Sequence, residues 1–279
     1  MKPTDIYQIA PLSFVAGIPV FSELNEYIAN YEKIARDHLC SAEKTGSNPF
    51  INEDDWIEFE NSTKQIVLKY GGDINGKKIM DVGVGLGRLL SALPEGFDKY
   101  GMDISIDYLK VAKSKNIEVC MSMVEDMPYR SELFDMIICT DVLEHVLDLN
   151  LACKKILGSL KKGGMLIIRV PYREDLSNYL ASDYPYKYAH LRNFDENTLT
   201  LLFEQVFGCK MVECVVGVPV MQDSLLKFKL PAFIHRIVFF GIKQMKSLNH
   251  DAYDFLRGMC YKPCVINCAV LKPMADKGI

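Results

Sequence analysis

The sequence has no apolar window long enough to cross a bilayer, which excludes a membrane-spanning helix. Its first residues, MKPTDIYQIAPLSF, hold no apolar signal-peptide core, so a secretory leader is not expected. It has no basic excess. The formal charge is −4 and the pI about 5.8, which argues against a nucleic-acid partner. Nine cysteines are present but scattered, and several, such as Cys120 and Cys139, sit in apolar strand-like runs. Cys260, Cys264 and Cys268 are evenly spaced yet match no zinc or iron–sulfur pattern. All read as reduced core thiols of a cytoplasmic protein. The dinucleotide fingerprint G-x-G-x-x-G is missing too, because Arg88 stands three residues after Gly85. That disfavours a nicotinamide oxidoreductase.

What is present is a strand, a glycine turn and a helix start between Lys77 and Leu93. Ile79 and Met80 belong to a short apolar run that reads as a buried strand. Leu86, Leu89, Leu90 and Leu93 then set a helical period, and Gly83, Gly85 and Gly87 lie between. Such a corner binds nucleotides, because glycine lets the backbone approach a ligand and the helix start offers free N–H groups. Asp81, two residues before the first glycine, suits a ligand with a cationic amino-acid end better than a pyrophosphate. A second strand runs from Phe97 to Met102, with Asp103 at its end, eighteen residues after Gly85. That is close to the spacing at which such units place a ribose-binding acid. This D-x-G-x-G-x-G corner resembles motif I of the class I methyltransferases that use S-adenosylmethionine.

Later segments extend the resemblance. Ser122 to Tyr129 resembles the family's acidic third motif, which embraces the adenine, although Met123 stands where many relatives carry Asp. Met123 packs on the ring, and polar contacts fall to Glu125, Asp126 or the backbone around Val124. Ile117 to Met121 is a third strand, and Phe134 to Cys139 is a fourth, ending in Thr140-Asp141-Val142-Leu143-Glu144-His145-Val146. This resembles the branch with the ubiquinone-pathway O-methyltransferases, as does LKKGGMLIIRVP. The helix between them is expected from Asp148 to Lys162. The fold implied is α/β: a seven-stranded Rossmann-like sheet with an antiparallel last strand, helices on both faces and an N-terminal helical extension. The donor implied is S-adenosylmethionine, held by Asp81, Gly83, Gly85, Asp103, Ile104, Met123, Val124, Glu125 and Thr140.

Three regions surround this core, expected at 76–220 and 261–273. Residues 1–75 form a helical extension with Ser22 as a cap, a second helix near Asn52, and Tyr27, Tyr31 and Trp56 placed to reach substrate. Residues 171–194 are too long for a plain connector and hold Tyr172, Tyr179, Tyr184, Tyr186 and Tyr188. They end in His190-Leu191-Arg192-Asn193-Phe194, resembling an H-x-R-x-F that family members often carry. Residues 221–260 are an apolar insertion between the last two strands, with a local charge of +4 between 223 and 246. It fits a lid, a homodimer contact or a peripheral contact with an anionic membrane.

The chemistry expected is methyl transfer to a small-molecule, sugar or lipid-linked acceptor, with oxygen as the methylated atom. An oxygen acceptor profits from a general base, for which His190 and His145 are candidates beside Asp141. No resident metal is assigned. Two alternatives stand: a donor-binding regulatory protein without turnover, and a metal-dependent O-methyltransferase for vicinal hydroxyls. In the second, Asp141 and Glu144 share a helical face and join His145 and His190 around a divalent ion.

Overall fold

The computed structural model describes residues 5–45, 48–221, 225–228 and 231–274. In chain order it contains β1 (Ser13–Val15), β2 (Ile18–Val20), α1 (Glu26–Thr45), α2 (Glu53–Gly71), β3 (Lys78–Val82), α3 (Arg88–Ala92), β4 (Asp98–Asp103), α4 (Ile106–Lys113) and β5 (Glu118–Met121). There follow β6 (Phe134–Thr140), α5 (Leu149–Ser159), β7 (Leu160–Pro171), α6 (Glu196–Thr200), β8 (Lys210–Pro219), α7 (Ala232–Leu248), α8 (His250–Cys260) and β9 (Pro263–Leu271). A π-helical turn, Leu201–Val206, continues α6.

One sheet takes all the strands in the order β1-β2-β5-β4-β3-β6-β7-β9-β8. From β5 to β7 the pairs are parallel, and β9 runs antiparallel between β7 and β8. The central strands are apolar on both sides because both faces are covered. Met80, Val82, Ile137 and Ile168 pack with Ala152 and Ile156 of α5, while Ile79, Ile138 and Ile167 pack with Val67 of α2 and Leu109 of α4. Strand order reverses between β3 and β6, so a crevice opens at the carboxyl edge there. No helix among the described residues is long and apolar enough to cross a membrane. No disulfide bond joins cysteines among the described residues.

The sheet has nine strands, two more than the seven expected. The extra pair is a hairpin in the N-terminal extension, which is therefore not wholly helical. Ala16 and Gly17, both with positive φ (52° and 69°), make its two-residue turn, and Val20 pairs in parallel with Met121. Three-residue strands are too short for alternation to reveal. Ser22 does not cap α1. Asn25 does, accepting from the Ile28 N–H at 2.9 Å, while the Ser22 hydroxyl donates to Asp126 at 2.7 Å. Asn52 caps α2.

Helix α5 ends at Ser159, before Lys162. Leu160 pairs with Phe134 in the sheet, and Lys161 reaches Asp135 at 2.7 Å, so tertiary pairing overrides helix propensity. Within 221–260, α7 and α8 form a helical pair around Ile242, Tyr253 and Tyr261. Residues 223, 224, 229 and 230 of the basic segment lie outside the described residues.

Candidate active site

The crevice holds a cavity of about 770 Å³ lined by residues from the glycine turn, the strand ends, α1, α2 and the tyrosine loop. Its floor begins at β3. Gly83 has φ +75°, and a Cβ there would meet Val142 Cγ2 at 2.3 Å. Gly85 has φ +50° and nothing within 4 Å of a built Cβ, so its backbone faces open space. Asp103, at the tip of β4, accepts from the Gly85 N–H and the Ser105 N–H, each at 2.9 Å. Burial raises its carboxyl to about 6 against the pull of those N–H groups.

Asp81 is 2 % exposed, and its Oδ1 has no hydrogen-bond partner. Burial pushes it well above the usual carboxylate range, with Arg169 opposing. Ile104, Met123, Val124, Glu125 and Thr140 line the same cavity. Glu125 and Asp126 are already engaged. Glu125 accepts from the Leu147 and Asp148 N–H groups at 2.9 and 3.1 Å, and Asp126 from Ser22.

Asp141 has a left-handed φ of +55°, and its carboxylate pairs with the Arg169 guanidinium. Residues 141–147 form turns, so Asp141 and Glu144 do not share a helical face as expected. Asp141 is held by Arg169, which is 3 % exposed and also donates to Thr63 Oγ1 at 3.2 Å. Glu144 is fully buried with neither oxygen partnered, and burial, then Asp141, drives its carboxyl toward the neutral form. Glu144, His145 and His190 each offer one ligand atom, and these lie within 4.8 Å of one another. Asp141 is not among them.

The H-x-R-x-F segment divides its work. His190 enters the cavity with its ring centroid 4.5 Å from that of His145. Arg192 donates to the Leu143 and Val146 carbonyls at 2.8 and 2.6 Å, and the Leu191 N–H donates to the Glu144 carbonyl at 2.8 Å. Phe194 anchors in the core. Nδ1 of His190 meets the Glu174 carboxylate, and the Tyr179 hydroxyl lies 3.1 Å from that nitrogen and 2.7 Å from Glu174 Oε1. His145 Nδ1 sits 2.8 Å from the Tyr31 hydroxyl. Burial, then His190, lowers His145 to about 3 and keeps its ring neutral.

Tyr27, Tyr31, Trp56, Tyr179, Tyr184, Tyr186 and Tyr188 all line the cavity, and Tyr172 lies in an adjoining one. Helix α1 and the loop close over the top. Asn30 accepts from the Lys187 and Tyr188 N–H groups and donates to the Tyr188 carbonyl, at 2.9, 3.1 and 3.0 Å. Glu32 accepts from Ser105 and Ile106 at 2.9 and 2.7 Å, fixing α1 to the start of α4. Sequence reasoning missed Asn30, Glu32, Glu174 and Arg169. Only Arg169 left a signal: a cation inside an apolar strand needs a buried partner.

Residues 80–168 match a family model described as a methyltransferase domain. The chain is 31 % identical over 148 residues to a ubiquinone biosynthesis O-methyltransferase of Coxiella burnetii, covering 50 % of this chain and 59 % of that protein. The chain spans about half the length of the relatives it matches by sequence. Among solved structures, it resembles the YcgJ protein of Bacillus subtilis (TM-score 0.53, 18 % identity, 77 % of this chain and 100 % of that one). It also resembles a phosphoethanolamine N-methyltransferase of Haemonchus contortus solved with S-adenosylhomocysteine (TM-score 0.57, 15 % identity, 90 % and 61 %). At these identities the structural likeness concerns the fold.

Proposed function

We propose that this chain, whose residues 80–168 match a methyltransferase-domain model, is an S-adenosylmethionine-dependent methyltransferase that transfers a methyl group to an oxygen of an acceptor seated beneath the tyrosine loop. The acceptor class we favour is a small molecule, sugar or lipid-linked compound. One observation carries this reading. A single cavity is lined by Asp81, Gly85 and Asp103 and also by a histidine, His190, whose Nδ1 is engaged by Glu174. The floor suits the donor. The orphaned Asp81 oxygen matches a cationic amino-acid end, the Asp103 carboxylate matches ribose hydroxyls, and the open space over Gly85 admits close backbone approach. The scattered cysteines match no disulfide framework, and we place the protein in the cytoplasm on that ground.

When bound, S-adenosylmethionine supplies a sulfonium methyl already activated for displacement. The chain's task is alignment, exclusion of water and removal of one proton. Asn30 and the tyrosine loop close the roof. With Nδ1 turned to Glu174, His190 has Nε2 free to take the acceptor hydroxyl proton. Tyr31 and Tyr179 are held in the phenol form by burial, so they serve as hydrogen-bonding groups rather than bases. Asp141, locked to Arg169, shapes the wall between donor and acceptor.

A methyl-transfer screen with labelled donor over oxygen, nitrogen and carbon acceptors tests the proposal. Label on an oxygen acceptor, diminished in His190→Ala, supports it. Donor binding by calorimetry with no label on any acceptor class replaces it with a regulatory donor-binding protein.

One observation favours a second reading. Glu144 is a buried carboxylate with no partner, and His145 and His190 stand beside it. One carboxylate and two imidazoles suit a divalent cation, which would orient adjacent acceptor hydroxyls. Arg169 withholds Asp141 from that set. Activity lost to a chelator and restored by a divalent ion favours this reading, and chelator-resistant turnover removes it.

A further inference from the structure

The helical pair α7–α8 carries an apolar face that none of the described residues covers. Phe233, Ile237 and Phe240 on α7 are 66, 68 and 63 % exposed, and Leu248 is 77 % exposed. They recur at helical spacing, so they form one stripe, while Ile242 and Val238 turn inward to Tyr253 and Tyr261. Helix α7 contains no acidic residue in a chain whose net charge is −4. Of its cations, Lys246 pairs with Asp54 at 3.3 Å. Arg236 and Lys243 are exposed beside the stripe and have no ion-pair partner among the described residues.

A second observation ties this face to the crevice. A cavity of about 1040 Å³ adjoins the one described above and extends from Glu144 and His190 to Leu225 and Cys264. Its far end lies at the foot of the helical pair, where the Lys262 N–H donates to the Leu225 carbonyl at 2.7 Å and the Lys227 N–H to the Cys260 carbonyl at 2.8 Å.

We propose that the Phe233–Ile237–Phe240 stripe with Arg236 and Lys243 docks on an anionic phospholipid surface. Exposed aromatic and aliphatic side chains enter the headgroup boundary, and the flanking cations meet lipid phosphates. Charge complementarity selects this occupant over a second copy, which would set Arg236 and Lys243 against a like face.

The test uses the full chain without methyl donor or acceptor, so it stands apart from the methyl-transfer proposal. Co-sedimentation is measured with vesicles of phosphatidylcholine alone and of phosphatidylcholine and phosphatidylglycerol in equal parts. Binding is expected only to the mixed vesicles and should weaken with added salt. The exposed triple variant Phe233→Ser, Ile237→Ser, Phe240→Ser and the double variant Arg236→Glu, Lys243→Glu should each lose binding at least tenfold with circular dichroism unchanged. Wild-type protein left in the supernatant with mixed vesicles overturns the proposal, as does binding that neither variant weakens. A concentration-dependent dimer in sedimentation equilibrium that the triple variant dissolves also overturns it and assigns the face to self-association.

Discussion

In the cavity floor, Gly85 and Asp103 are joined through one backbone N–H across 18 residues; in the roof, Asn30 reaches Tyr188 across 158. The floor is made of backbone geometry at strand ends, set by residues near one another in sequence. The roof is made of side chains on α1 and the 172–194 loop, which lie far apart in sequence. The Asn30 bonds that hold the roof involve no residue of β3 or β4. On the proposed reading, donor binding and acceptor choice would be properties of different parts of the chain.

Substitutions can separate the two parts. The largest effect should come from the floor. Asp103→Ala removes the carboxylate bonded to the Gly85 N–H of the glycine turn, and donor affinity should fall on the order of a hundredfold while the circular dichroism spectrum stays native. Calorimetry giving wild-type affinity would show that the donor lies elsewhere. Next comes the roof's chemistry. His190→Ala should lower kcat about a hundredfold and leave donor affinity unchanged. If instead only the melting temperature drops, His190 is a packing residue.

A smaller effect is expected from pH. Asp103 titrates at about 6 in the fold, above its ordinary 3.8, because it is buried. Its ionised form is the better acceptor for hydroxyls, so donor affinity should fall up to about tenfold per unit below that value. The stability contribution has the opposite sign. The folded chain binds this proton more tightly than the unfolded one, so the group favours folding when protonated and disfavours it as pH rises from 3.8 through about 6. Asp103→Asn should flatten the affinity profile, and a profile unchanged in that variant assigns the titration to another group. Smallest is Asn30→Ala. Losing three hydrogen bonds between α1 and the loop should raise the acceptor KM several-fold with little change in donor affinity. A matching loss of donor affinity would mean that roof and floor are one unit.

The same contrast explains what the sequence made legible. Gly83, Gly85 and Asp103 stood out because turn geometry and strand spacing dictate both residue type and interval. The strands from β3 to β9 stood out because apolar runs alternate with helical periods. The hairpin of β1 and β2 did not, since three residues give no period. Nor did the end of α5, where Leu160 follows Phe134 into the sheet against the helical pattern. Glu174 and Asn30 carry no local pattern at all. Their roles exist only through His190 and Tyr188, and no interval in the chain announces such a meeting. Asp141 was read on a helix because D-x-x-E-H has helical spacing, but its left-handed φ and the Arg169 guanidinium place it apart from Glu144.

The hairpin also decides how this sheet meets other sheets. At one border, β1 presents the outer edge of a strand only three residues long, too short a template for a foreign strand. At the other, β8 offers ten. A sheet with one blunt border and one long border has a single direction in which edge-to-edge pairing is rewarded. Two chains joining through their β8 strands would turn both long borders inward and leave only blunt ones outside. Growth by this route therefore stops at a closed, two-fold pair and does not run on into a fibre.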